Sequence, residues 1–186
     1  MRWEQLFADL EAELEAQDAT ALRGEVTDRT RREAGLVGLA DRLRASAQAD
    51  IGVRCLGSHV ASGRLLDTGP DWSLLQEQHG CQVLVPHRAL VAVTGLGSVT
   101  SAPGSAGEVE RRLDLRWALR GLARDRAGVR LLLVDGAHLT GTVDRVGADH
   151  LELAEHPQGE ARRARAVRQV VAVPLTALAA VLSDLA

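Results

Sequence analysis

The chain has no lysine and no tyrosine, a single phenylalanine and a single methionine, and only two cysteines among its 186 residues. Each shortage closes off a class of protein. Cys55 and Cys81 are too few and too poorly spaced for a zinc cluster. They read as a reduced, buried thiol on a strand and a half-exposed thiol near a turn. A disulfide between paired strands suits strand geometry but is not needed in a cytosolic protein. No stretch approaches the ~18 apolar residues of a membrane-spanning helix. The start, MRWEQLFADLEAELE, is acidic and lacks the basic end and uninterrupted apolar run that export requires. A cytoplasmic protein without a membrane partner is therefore expected. Arginine carries all the fixed positive side-chain charge, a bias that goes with GC-rich coding, and the formal net charge is −3. That balance disfavours indiscriminate duplex DNA binding while leaving room for a local basic patch.

The signatures of chemistry are also missing. There is no G-x-x-x-x-G-K-[ST], no G-x-S-x-G and no Rossmann G-x-G-x-x-G, and GLGSVTSAPG lacks the lysine and following helix of a phosphate loop. His59, His79, His87, His138, His150 and His156 are scattered without a metal-ligand spacing. Neither an enzyme nor a cofactor is expected.

What the chain does have is a repeat. Gly63, Leu65, Gly69, Asp71, Leu75 and Glu77 match Gly141, Val143, Gly147, Asp149, Leu153 and Glu155 at one constant offset. Val85, Pro86, Ala89, Leu90 and Val93 match Val173, Pro174, Ala177, Leu178 and Val181 at a second. Only one hairpin differs in length. The glycines and aspartates set turns, Asp71 and Asp149 being turn formers that accept backbone N–H groups, not paired catalytic carboxylates.

The period around the repeats places the elements. Trp3, Phe7, Leu10 and Leu14 form the stripe of an N-terminal amphipathic helix over residues 1–29, which either packs on the rest or joins subunits. Residues 30–93 read as a helix, through Leu36, Leu39, Ala40 and Leu43, followed by five short strands. Residues 94–107 are rich in Gly, Ser, Ala and Pro and read as a flexible linker. Residues 108–186 repeat the plan, a helix with Leu115, Ala118, Leu119 and Leu122 on its apolar face and then five strands. The expected fold class is α+β, with N-terminal helices and two tandem five-stranded β-barrels, each preceded by a helix.

The G-x-[LV] element at Gly63 to Leu65 and Gly141 to Val143, the glycine turn and the VP-x-x-A-L ending resemble an Sm-like or SH3-like small barrel. The whole chain also resembles a group of uncharacterised actinobacterial proteins with tandem barrels of this type, sometimes labelled Fis-type regulators. That label implies a DNA-associated regulator with a C-terminal helix-turn-helix, whereas this C-terminus is strand-rich. The Sm-like resemblance implies binding of single-stranded RNA through an aspartate–asparagine motif and a later arginine–glycine element. The nearest residues here are Asp67, Asp71 and Trp72 in one copy and Arg145, Asp149 and His150 in the other, with no asparagine, and PHRAL and PLTAL in place of the second motif. Covalent duplication predicts that the copies pair internally instead of forming a simple homomeric ring.

Two arginine clusters and one aromatic are the candidate contact residues. Arg112, Arg116, Arg120 and Arg124 recur every four residues along a helix, and Arg162, Arg163, Arg165 and Arg168 cluster in the longer hairpin. Together they would suit phosphates; separately they read as solvated faces. Trp72, equivalent to His150, either stacks a base with Arg88 nearby or seals a seam between the copies. The favoured function is a noncatalytic protein-interaction or assembly module. RNA or single-stranded nucleic-acid binding is the alternative.

Overall fold

The computed structural model describes residues 34–78, 80–101, 107–108, 112–157 and 167–183. The expected N-terminal helix of residues 1–29, His79 and Arg162, Arg163 and Arg165 lie outside the described residues. The chain divides into two compact units, Met1–Val37 and Gly38–Ala186, and the second carries all of the following structure.

Helix α1 spans Leu39–Ala45 and helix α2 spans Leu115–Asp125. Ten strands follow the expected order: β1 Asp50–Cys55, β2 Val60–Thr68, β3 Trp72–Gln76, β4 Gln82–Pro86, β5 Leu90–Thr94, β6 Gly128–Leu133, β7 His138–Val146, β8 His150–Glu155, β9 Gln169–Pro174 and β10 Leu178–Ser183. They do not form two separate five-stranded barrels. All ten belong to one sheet of order β5-β1-β2-β3-β4-β10-β6-β7-β8-β9, and every pairing in it is antiparallel. Two α-helices lie wholly within the described residues, α1 ahead of β1 and α2 ahead of β6.

The junction explains the correction. β4 and β10 pair directly, with Val181 opposite Leu84, Leu182 opposite Val83 and Ser183 opposite Gln82. Each would otherwise expose a row of unpaired backbone donors and acceptors, and pairing satisfies both rows at once. Their sequences suit a central position. Val83 to Pro86 and Leu178 to Val181 are buried at every residue, the mark of strands covered on both faces. The hydrophobic cores interlock accordingly. Trp72 and Leu84 from the first half join the core built around α2, with Leu115, Leu119, Leu151 and Leu153. Ala179 and Ala180 of β10 join the core beneath α1, with Leu43, Leu65 and Val85.

The duplication is visible in the backbone itself. The β2–β3 ladder shifts register between Leu65 and Asp67, and the β7–β8 ladder shifts between the equivalent Val143 and Arg145. Such bulges sharpen strand twist. A Cβ on Gly63 would lie 2.1 Å from the Gln76 carbonyl oxygen, and one on Gly141 would lie 2.1 Å from that of Ala154. Both glycines therefore admit backbone where any side chain would collide. The 3₁₀ turns also correspond: the His87 N–H donates to Asp71 O at 2.8 Å, and the Leu175 N–H donates to Asp149 O at 2.7 Å. The stretch expected as a flexible linker begins in contact with α1, where Arg42 donates to the Gly97 carbonyl at 2.9 Å.

Candidate interaction surfaces

Trp72 and Asp71 lie at the join between the halves. Trp72 is 4% exposed, and its indole N–H donates to the Leu113 carbonyl at 2.8 Å. The adjacent Asp71 Oδ1 accepts the Leu115 N–H, at the first turn of α2, at 2.8 Å. An anionic carboxylate there meets an unpaired backbone donor and the positive end of the helix dipole. Asp114 caps the same turn, accepting from the Trp117 N–H at 2.9 Å. Burial tends to raise the Asp114 pKa, but hydrogen bonds from Arg116 and the Trp117 N–H outweigh it and hold the carboxyl below its ordinary value. Arg88 completes the join by donating to the Leu175 carbonyl.

The same turn in the second half faces solvent. The Asp149 side chain is 90% exposed and accepts from, or shares a proton with, His150 Nδ1 at 2.8 Å. That hydrogen bond lowers the Asp149 pKa. Trp72 and His150 thus occupy matching positions, and only Trp72 has a neighbouring repeat to seal.

The arginines divide. Arg112, Arg116, Arg120 and Arg124 are all exposed along α2 and its approach. Arg112 pairs with Glu108 at 2.8 Å and Arg116 with Asp114 at 2.6 Å. Arg168 is exposed at the start of β9, where its backbone N–H donates to Glu155 O. Arg162, Arg163 and Arg165 lie outside the described residues, so Arg168 alone represents that cluster here. Trp117 is 49% exposed on the arginine-bearing side of α2.

No known family matches this chain, and no curated protein matches it. The site must be read from its own residues.

Two polar pairs resemble pieces of catalytic chemistry. His87 Nε2 lies 2.9 Å from Ser73 Oγ, and burial lowers the His87 pKa, with the nearby Asp71 charge opposing the shift. Ser73 is 1% exposed, so its hydroxyl has no access to a substrate. His156 Nε2 lies 2.9 Å from Thr142 Oγ1 in an equally buried setting. Both pairs satisfy buried polar groups within the core. An open polar depression over the β1–β2–β3 region is lined by Asp50, Arg64, Gln76, Glu77 and Thr94, among others. Among the described residues no three His, Cys, Asp or Glu side chains gather as a metal site, and no helix is long and apolar enough to cross a membrane.

Strand addition at an exposed barrel edge is one contact mode the sequence allows, beside the acidic N-terminal helix and the groove between the halves, but nothing in it singles out which strands. Among the described residues β5 pairs only with β1, and β9 pairs only with β8. Val91 is 56% exposed on β5, and Val170 is 57% exposed on β9. Neither LVAVT nor QVVAVP carries a charge, and neither has the lysines that commonly blunt a sheet edge. The missed signal was the run of consecutive apolar residues, since an alternating pattern is expected where one face is solvated.

Proposed function

We propose that the chain is a noncatalytic interaction or assembly module that engages a protein partner through the outer edges of its sheet. The observation that supports this reading is the pair of uncharged, apolar edge strands, β5 and β9, with Val91 and Val170 at 56% and 57% exposure. An added strand would find backbone donors and acceptors already aligned, and main-chain hydrogen bonds would supply the affinity. The buried placement of Trp72 and of the Ser73–His87 pair favours this over stacking or turnover.

The alternative is single-stranded nucleic-acid binding by α2. The exposed Trp117 beside Arg120 and Arg124 favours it, because a ring and two cations on one helix side can stack a base and hold phosphates.

Native complexes recovered from cells with and without nuclease separate the two. The proposal expects a protein partner that survives nuclease and is lost from a Val91→Arg or Val170→Arg variant. RNA recovered with the wild type, abolished by combined Arg120→Glu and Arg124→Glu and untouched by the edge variants, would overturn it.

A further inference from the structure

The chain's own internal junction shows how two such strand edges fit together. This inference rests on the edge-binding reading above and names its occupant. Each half repeats one strand order, fifth–first–second–third–fourth: β5-β1-β2-β3-β4 and then β10-β6-β7-β8-β9. The halves are joined where the fourth strand of the first, β4, meets the fifth strand of the second, β10. The two strands left over are the fifth strand of the first half, β5, and the fourth strand of the second, β9. They are the repeat equivalents of the pair already joined. Internal pairing uses one copy of each edge and leaves one of each unused.

We infer that β5 of one copy pairs antiparallel with β9 of a second copy, head to tail, in the register of the internal β4–β10 junction. Transferring that register through the repeat places Val93 opposite Ala172 and Thr94 opposite Val171, where the chain itself places Val181 opposite Leu84 and Leu182 opposite Val83.

Two further features point the same way. The sequences LVAV in β5 and VVAV in β9 are apolar at consecutive positions, as are LAAV in β10 and VLV in β4. β10 and β4 are buried along those runs, whereas Val91, Ala92, Val170 and Ala172 are exposed. The helices repeat the contrast. Leu115 and Leu119 of α2 are 1% and 0% exposed, with Trp72 in their core. The similarly spaced Leu39 and Leu43 of α1 are 44% and 0% exposed. Val91 and Ala92 of β5 and Leu39 of α1 are exposed, whereas β10 and the apolar face of α2 are covered.

The external contact is weaker than the internal one, because Trp72, Leu74 and Leu84 are replaced by His150, Glu152 and Ala172 at the matching places. Association is therefore concentration-dependent. A head-to-tail contact of this kind is heterologous, and it generates a closed ring or an open filament according to the rotation between copies.

The test uses the full chain with Cys81→Ser, leaving the buried Cys55, and adds Thr94→Cys and Val171→Cys singly and together. Directly opposed antiparallel residues have Cα atoms about 4.5–5.5 Å apart, within the roughly 4.4–6.8 Å that a disulfide spans. Mild oxidation is expected to give a ladder of covalent oligomers from the double variant and none from either single variant. Light scattering of the wild type should show mass rising with concentration to at least twice the monomer, and Val170→Arg should weaken that association at least tenfold.

Dimers from Thr94→Cys alone would mean a symmetric β5–β5 contact and overturn the inference. So would a wild-type protein that stays monomeric at several hundred micromolar, a measurement that does not depend on how any variant folds. Monomeric protein that still retained a nuclease-resistant partner through Val91 would defeat the inference and leave the edge-binding reading standing.

Discussion

Replacing Trp72 tests whether the two halves behave as one structure. The side chain is 4% exposed, packs in the core organised by α2, and donates a hydrogen bond to Leu113 O at 2.8 Å. Trp72→Ala removes a large buried side chain and leaves a cavity, a change that costs about 3–5 kcal/mol. The carbonyl of Leu113 also loses its donor. Trp72→Phe keeps much of the ring and loses chiefly the hydrogen bond, so about 1–2 kcal/mol is expected. Because Trp72 comes from the first half and its neighbours Leu115, Leu119 and Leu151 from the second, the loss should lower one cooperative transition for all ten strands. Urea unfolding followed by far-ultraviolet circular dichroism reads the transition. In a Trp3→Phe background, Trp117, 49% exposed, remains in Trp72→Ala as a fluorescent probe of the second half. Coincident transitions shifted by the expected amount support the reasoning. A loss below about 1 kcal/mol for Trp72→Ala, or two separate transitions in the wild type, would refute it.

Other substitutions and conditions test the remaining contacts. Gly63→Ala and Gly141→Ala should each destabilise by about 1–3 kcal/mol, since each added Cβ meets a carbonyl oxygen at 2.1 Å, whereas Gly121→Ala on α2, with open space around it, should stabilise by up to about 1 kcal/mol. Denaturation midpoints of the three variants check this ordering. Asp114→Ala removes the cap of α2 and should cost about 0.5–2 kcal/mol near neutral pH. The Asp114 pKa is lower folded than unfolded, so the stability difference should be complete above the usual carboxylate range and vanish as pH falls through the folded value. His87 is lowered by burial from 6.5, so the unfolded chain takes up its proton first. Stability should fall as pH drops below about 6.5, more steeply in the wild type than in His87→Gln, as thermal melts between pH 7.5 and 5 would show. Burial raises the Cys55 thiol to about 11, so a thiol reagent should modify the native protein at Cys81 and reach Cys55 only on unfolding.

Much of the local structure could be read from the chain. The alternation Ile51, Val53, Cys55 gave β1, and all three residues face the core. The paired glycines and aspartates located the turns, because a glycine pressed against a carbonyl and a carboxylate beside a turn leave the same trace in both copies. The way the strands join could not be read so directly. A repeat specifies what each half looks like, but whether two edges meet depends on surfaces far apart in sequence. Leu84 and Val181 are apolar in either arrangement. The consecutive apolar residues of β4 and β10 held the clue, since a strand with one wet face would alternate.

The candidate contact residues separated for a similar reason. Trp72 and His150 align in the repeat, yet the Trp72 ring hydrogen-bonds Leu113 O while the His150 ring hydrogen-bonds its own neighbour Asp149, because just one of the two turns is followed by another half. The arginine spacing correctly placed Arg116, Arg120 and Arg124 on the exposed side of α2. Nothing in the spacing could show that Arg116 and Arg112 are already paired with Asp114 and Glu108. The outer edges were legible only as hydrophobic strands. Their exposure became apparent once the neighbours of every strand were known.

Residue-resolved hydrogen exchange of the native chain tests the continuous sheet most directly. At a concentration low enough to keep the chain monomeric, the account predicts that amides of β4 and β10 around Val83, Leu84, Val181 and Leu182 are protected to the same degree as those of β2 and β3, and that amides along the outer sides of β5 and β9 exchange faster. Rapid, edge-like exchange along β4 and β10, with β1 to β3 and β6 to β8 still protected, would contradict it.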